Sequence, residues 1–179
     1  MSMDWAVLKE KMIRAARLEP GLYQEVGQDD GANQEAFAVV ALAGVAQGIS
    51  LAKADLFVEA GALKGFAIGV FGGITSWFFW ALIIYFIGVR LLNHRSDMNA
   101  LLRCLGFAAA PGVLKVFAMI PGIAIPLQLG IAVWMLATFI VAVRQALGVD
   151  TRRAVLVSSL GFLLYLMVFL LLMSIGVSI

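Results

Sequence analysis

Few side chains of this sequence could take part in catalytic chemistry, and those few are widely spaced. The chain has one histidine, His94, and one cysteine, Cys104. Side-chain catalysis needs a positioned acid, base or nucleophile with a second group within hydrogen-bond reach. His94 precedes Arg95 in a basic loop, and Cys104 lies in an apolar run, where cysteine is usually a small hydrophobe. We therefore interpret His94 as a solvated loop residue and Cys104 as a packing residue.

Sequence motifs of enzymes are also missing. The sequence contains no zinc-hydrolase, serine-hydrolase, phosphate-loop or dithiol pattern. The net charge of +2 is too small to favour nucleic acid as a partner. We expect a protein that is not an enzyme, that has no catalytic residue, and that binds no cofactor, metal ion or nucleic acid.

The composition indicates the environment of the chain. Hydrophobic residues make up 63% of it and charged residues 13%, with a mean hydropathy of +0.99. Soluble domains have about 45–50% apolar and about 25% charged residues. The sequence therefore predicts an all-α integral membrane protein that is embedded in the lipid bilayer as a binding partner.

Five apolar segments are predicted to cross the membrane. A helix needs about 20 residues to cross a hydrocarbon core about 30 Å thick. The predicted spans are residues 36–52, 66–89, 101–120, 123–143 and 154–178. They divide the chain into a cytoplasmic segment, 1–34, and a five-helix domain, 35–179.

The third and fourth spans form one long apolar stretch, Leu101–Val143, interrupted by prolines. We expect a hairpin that turns at Pro121–Gly122, whether its arms cross the membrane fully or re-enter it. Proline inside a helix removes a backbone hydrogen bond and kinks it. Pro111 should therefore kink the first arm. We expect that arm at the centre of the bundle, against the glycine face of the second span.

The distribution of basic residues predicts the orientation. Ten of them fall on one face of a five-span topology: Lys9, Lys11, Arg14, Arg17, Arg90, Arg95, Arg103, Arg144, Arg152 and Arg153. Three fall on the other face: Lys53, Lys64 and Lys115. Cytoplasmic loops carry the excess of basic residues, so the N-terminus should be cytoplasmic and the C-terminus outside.

Lys115 is the most deeply placed ionisable residue. It follows Arg103 by about twelve residues, or roughly 18 Å of helix, which places it near the outer end of its span. From there its side chain can extend towards the membrane interface. We predict that Lys115 pairs with Asp55 or Glu59, which should lie on the same outer face.

Residues 4–18 are predicted to form an amphipathic helix. Trp5, Leu8 and Met12 recur at helical spacing on one side, and four basic residues lie elsewhere on the circumference. Such a helix can lie in the membrane interface. It can equally pack on the cytoplasmic ends of the other helices, and the sequence leaves both alternatives open.

Glycines at four-residue spacing mark one helix face near the second span: Gly61, Gly65, Gly69 and Gly73. Small residues at this spacing allow two membrane helices to approach closely. We favour packing within one chain over a dimer interface.

Three segments give the chain a resemblance to the Yip1 domain family, particularly its bacterial branch. The central one, LLRCLGFAAAPGVL at 101–114, contains Arg103, Gly106, Phe107 and Pro111; the family commonly has tyrosine where Phe107 stands. The others are PGLYQEV at 20–26 and RQALGVDTRRA at 144–154, which begins with Arg144 and Gln145.

The resemblance implies a five-helix fold with a cytoplasmic N-terminus, here in the bacterial inner membrane. Eukaryotic members are associated with Rab-type GTPases and vesicle traffic at Golgi and ER membranes. Their Asp-Leu-Tyr-Gly-Pro motif is not present, because Asp55-Leu56-Phe57 continues as Val58-Glu59. Binding to a GTPase is therefore not implied for this chain.

Two functions remain open at this point. The first is a scaffold, membrane-shaping or partner-binding protein, acting with membrane protein partners or as a homo-oligomer. The second is a small-solute permease or channel that uses proline-broken helices. A cavity that reaches Gln47, Gln128 or the carbonyls before Pro111 would favour the permease. A dry, filled centre would favour the scaffold, and we expect both glutamines to form hydrogen bonds between helices.

Overall fold

A computed structural model describes residues 4–52, 62–91, 96–120 and 122–174, and this part of the chain is helical without strands. The α-helices are α1 (Trp5–Ala16), α2 (Pro20–Gln28), α3 (Ala32–Ala52), α4 (Ala62–Tyr85), α5 (Met98–Ala108), α6 (Ala124–Leu147) and α7 (Thr151–Ser174). A π-helical turn, Phe86–Leu91, extends α4, and a 3₁₀ helix, Ala110–Met119, continues α5.

Four of these helical stretches are long and apolar enough to cross a membrane. They are Ala32–Ala52, Ala62–Val89, Met98–Met119 and Ala124–Leu147. They correspond to the first four predicted spans, and the chain is accordingly an integral membrane protein. The fifth span, predicted at 154–178, falls mostly on α7, and its crossing stays a prediction.

Local signals end α1 and begin α2. The Asp4 carboxylate accepts a hydrogen bond from the Ala6 amide (2.9 Å) and caps the start of α1. At the other end Leu18 adopts φ 62°, and the Glu19 amide donates to the Arg14 carbonyl (3.2 Å). This left-handed turn closes the helix, and Pro20 then starts α2 at a position where its missing N–H costs nothing.

The first two spans pack as a close antiparallel pair. Gly69 faces Gly48, and Gly73 faces Gly44, so that the backbones of α3 and α4 touch. A Cβ on Gly69 would overlap the backbone of Gly48. The glycine face of α4 therefore meets α3. Our expectation that it meets the third span was wrong, because α3 carries its own matching glycines.

The third span is the most enclosed of the four, with 61% of its most apolar window buried, against 39%, 22% and 11% for the others. It runs parallel to α3, with Gly106 against Ala36 and Gly112 against Ala43. Its second half differs from the predicted kinked α-helix: from Ala110 onward the chain is 3₁₀-helical. Gly122, with φ 88°, follows it and precedes α6.

Candidate functional site

A buried arginine fastens the N-terminal helices to the bundle. We call α1 and α2 together the cap. Arg103 on α5 donates to the Gly27 carbonyl at the end of α2 (2.6 Å) and to the Asp30 carboxylate (2.9 Å). Its side chain is 4% exposed. A buried guanidinium needs such partners, so α5 can bury Arg103 only when α2 is in place.

Further hydrogen bonds connect the cap to α5 through buried groups. The Cys104 thiol donates to the Tyr23 carbonyl (3.2 Å), and the Tyr23 hydroxyl donates to the Ala15 carbonyl of α1 (3.1 Å). Burial, with a smaller contribution from Cys104, raises the pKa of Tyr23 above its ordinary value. The neutral hydroxyl is thus a fixed donor that ties α1 to α2.

The cap also binds α6. The Trp134 indole donates to the Ala16 carbonyl (2.7 Å), which lies in the last turn of α1, where carbonyls lack helical partners. The side-chain amides of Gln24 and Gln145 are hydrogen-bonded at 2.9 Å. At the end of α6, Arg144 donates to the Thr151 hydroxyl that starts α7 (3.2 Å).

The predicted interfacial face of α1 is divided between protein and surroundings. Leu8 is buried and Met12 packs partly against the core, whereas Trp5 is 62% exposed. Lys11 forms an ion pair with Glu35 at the start of α3 (2.6 Å). Much of the predicted face therefore covers the bundle, which leaves Trp5 exposed at the start of α1.

Two ion pairs of Arg14 stabilise the corner between α1 and α2. Arg14 contacts Glu19 and Glu25, each at 3.0 Å. The hydrogen bonds to Glu19 and then Glu25 raise the pKa of Arg14, and the same contact with Arg14 lowers the pKa of Glu19. Arg14 and Glu19 lie outside the membrane-spanning segments.

The change from α to 3₁₀ helix in the third span frees a carbonyl, and Thr138 satisfies it. Gly112 donates to Ala109 (2.8 Å) rather than to Ala108, four residues back. The Thr138 hydroxyl on α6 donates to the freed Ala108 carbonyl (2.7 Å). In a membrane an unsatisfied carbonyl is costly, and threonine side chains commonly compensate for broken helices.

A cavity of about 310 Å³ lies between α3, α4, α6 and the 3₁₀ helix. Its polar lining comes from Gln47, Ser76 and Lys115, and most of the remainder is apolar, including Ile68, Met135 and Phe139. Towards the cap, Trp80 packs against Phe139 (ring centroids 6.2 Å apart), and the Trp77 indole donates to the Leu102 carbonyl (3.0 Å).

The 3₁₀ geometry directs Lys115 into this cavity. Ala109, Gly112 and Lys115 all line it, at intervals of three residues. A 3₁₀ helix has three residues per turn, so side chains three apart share one face. In an α-helix three residues turn the chain by roughly 300°, and Lys115 would lie about 120° away from Ala109.

The family-motif residues have mainly structural positions. Arg103 holds the cap, and Phe107 is buried in the core. A Cβ on Gly106 would approach that of Ala36 to 2.8 Å, so glycine there allows α3 and α5 to touch. Pro111 lies in the first turn of the 3₁₀ helix, where the missing N–H is tolerated.

Several predicted positions lie outside the described residues: Asp55, Glu59, Gly61, His94 and Pro121. The predicted pairing of Lys115 with Asp55 or Glu59 therefore stays a prediction. The two glutamines expected to bond between helices behave differently: Gln47 lines the cavity, and Gln128 is exposed on α6.

Sequence reasoning missed Asp30, Ser76, Trp134 and Thr138. Ser76 and Thr138 are hydroxyl residues within apolar spans. A polar side chain in such a span could have indicated a functional or hydrogen-bonding position. Asp30 and Trp134 gave none, because their partners, Arg103 and Ala16, are 73 and 118 residues away.

A helical bundle with four membrane-length segments and a docked polar cap defines a polytopic integral membrane protein. The Yip1 domain family model matches residues 24–173, and the chain belongs to the Yip1 domain family. No curated protein and no solved structure matches the chain.

Proposed function

We propose that this protein is a non-enzymatic membrane scaffold whose cap is the binding surface for a protein partner. The observation that carries this proposal is the pair of hydrogen bonds from Arg103 to the Gly27 carbonyl and the Asp30 carboxylate, which hold α2 on the bundle. A surface that is already ordered loses little conformational entropy when it binds.

The outer side of the cap is polar and exposed. Arg17, Glu25, Gln28 and Asp29 are exposed there. Trp5 extends the cap's exposed surface with an aromatic side chain suited to a membrane interface. Exposed polar residues beside an exposed tryptophan support the binding of a partner at the membrane surface. The same proposal includes a membrane-shaping role for α1.

The proposal includes the topology inferred from the basic residues. The cap then lies in the cytoplasm, five helices cross the bacterial inner membrane, and the C-terminus lies outside. A partner of the cap would accordingly be a cytoplasmic protein or the cytoplasmic part of a membrane protein, or a second copy of this chain.

Site-specific photo-crosslinking in living cells tests this function. A photoreactive residue at Arg17 or Gln28 should crosslink a discrete protein, which is identified after purification in mild detergent by mass spectrometry. The matched controls are Leu129 and Val133, which are exposed on an apolar face of α6 and should crosslink lipid. Recovery of the chain alone from the cap positions would contradict the scaffold.

A small-solute permease is the second candidate, and the cavity with Gln47 and Lys115 favours it. It is tested by thiol accessibility in a Cys104→Ser background, with Gln47→Cys or Ser76→Cys. A permease exposes these positions to a membrane-impermeant reagent from both sides of the membrane in turn. Labelling from one side only would count against transport. The wild-type protein, whose one cysteine, Cys104, is fully buried, is the unlabelled control.

A further inference from the structure

Lys115 brings a positive charge into an otherwise largely apolar cavity. Among the described residues, no carboxylate lies within ion-pair distance of it and no group forms a hydrogen bond with it. A charge inside a membrane span is expensive unless it is paired, and such a residue marks a functional site by default.

The backbone holds Lys115 in this position at a cost. The 3₁₀ helix is ten residues long, whereas runs beyond about four residues are uncommon because their hydrogen bonds are poorer. Thr138 supplies the bond that the Ala108 carbonyl loses. Two helices thus cooperate to keep the side chain of Lys115 on the cavity wall.

We propose that the cavity binds the phosphate group of an anionic phospholipid, with Lys115 as the counter-charge. Gln47 and Ser76 supply hydrogen-bonding groups to the same headgroup, and lysine binds phosphate as a point charge. The volume of about 310 Å³ is at the lower end of ligand pockets, which are roughly 300–1,000 Å³. It accommodates a headgroup but not a whole two-chain lipid.

The walls explain why the ligand is an amphiphile rather than a free anion. Ile68, Met135 and Phe139 offer apolar surface to an acyl chain, which an inorganic ion cannot use. The lining reaches from Val40 in the first half of α3 to Leu51 at the end of that helix. Trp80 and Phe139, which are in ring contact, add aromatic surface to the same lining.

This inference does not rest on the scaffold function, because it concerns the cavity between α3, α4, α6 and the 3₁₀ helix and not the outer side of the cap. It competes instead with the predicted ion pair of Lys115 with Asp55 or Glu59. If one of those carboxylates neutralises Lys115, the cavity has no charge to offer a phosphate. The test therefore includes the double variant Asp55→Asn/Glu59→Gln.

The experiment is lipid retention by the full chain in nanodiscs of phosphatidylcholine with a minor fraction of phosphatidylglycerol, measured by native mass spectrometry. Lys115→Met removes the charge and nearly preserves the side-chain length. Lys64→Met is the matched control, because Lys64 is an exposed lysine near the start of α4, at the same end of the bundle. Lys115→Arg retains the charge.

The wild type and Lys64→Met should retain one phosphatidylglycerol in preference to phosphatidylcholine, and Lys115→Met should weaken this binding about tenfold or more. Lys115→Arg should keep the preference, which separates charge from folding. Equal retention of both lipids by the wild type would overturn the proposal even if Lys115→Met does not fold. So would binding of inorganic phosphate alone, or an anionic-lipid site that forms only in Asp55→Asn/Glu59→Gln.

Discussion

The guanidinium of Arg103 and the carboxylate of Asp30 lie 2.9 Å apart, yet Arg103 is 4% exposed and Asp30 is 94% exposed. The two residues of this ion pair therefore differ in how much they depend on each other. Water can replace Asp30 as a partner on the exposed side, whereas nothing replaces Arg103 inside. The 2.6 Å bond to the Gly27 carbonyl makes Arg103 the only member of the pair that contacts the backbone of the cap.

We expect Asp30→Asn to change stability by less than about 1 kcal/mol, as exposed ion pairs do. Arg103→Gln should destabilise the protein by about 2–4 kcal/mol, because it leaves the Gly27 carbonyl without its donor and cannot match the reach of arginine. Thermal unfolding in detergent measures both. Equal losses in the two variants would show that the ion pair, rather than the backbone contact, holds the cap.

The contact of Gly69 with Gly48 predicts a position-specific effect in α4. Gly69→Ala places a methyl group against the backbone of α3 and should destabilise the bundle by about 1–3 kcal/mol through overpacking. Gly72→Ala is the control, since an added Cβ there meets no side chain and no neighbouring helix within 4 Å. It should be neutral or slightly stabilising, because alanine favours the helix. Comparison of the two melting temperatures decides the point; similar values would place the close helix contact elsewhere.

Thr138 should be required for the 3₁₀ helix. Thr138→Val preserves shape but removes the donor to Ala108, at a cost of about 1–3 kcal/mol for the unsatisfied carbonyl. Thr138→Ser keeps the hydroxyl and should lose much less. Amide hydrogen exchange across 108–119 should rise in the valine variant alone. Unchanged protection there would mean that another group satisfies the Ala108 carbonyl.

The corner between α1 and α2 should loosen in acid. The pKa of Glu19 is lowered in the folded protein by Arg14, so its contribution is present above the ordinary value of 4.5 and is lost as the pH falls through the folded pKa. Hydrogen exchange at 14–22, corrected for intrinsic rates, should show this loss. Glu19→Gln should abolish that part of the pH dependence; a profile unchanged by this substitution would assign it to another group.

Patterns local in sequence predicted the fold well. Apolar length located the first four spans, and the regular glycines of α4 indicated a close helix contact. The predicted partner of that contact was wrong, because Gly44 and Gly48 of α3, and not the third span, lie opposite Gly73 and Gly69. The motif around Arg103 identified the family, which the comparison confirmed, but not the role of Arg103 in holding the cap.

The candidate cavity could not be predicted, since it depends on backbone geometry. Proline predicts a kink as readily as a 3₁₀ helix, and only the latter turns Lys115 towards Gln47 and Ser76. The donor that makes the 3₁₀ helix tolerable, Thr138, belongs to another helix and is 30 residues from Ala108. Periodicity within one segment carries no information about such a pair.

The 3₁₀ helix also sets the length of the third span. It rises about 2.0 Å per residue, against 1.5 Å in an α-helix, so Ala110–Met119 is about 5 Å longer than an α-helix of the same ten residues. If this segment became α-helical, Gly122 would move towards the cap by nearly one helical turn while Lys115 left the cavity wall. The backbone hydrogen bonds of the 3₁₀ helix therefore determine two properties together. They set the membrane thickness that the third span matches, and they set whether the charge of Lys115 faces the cavity.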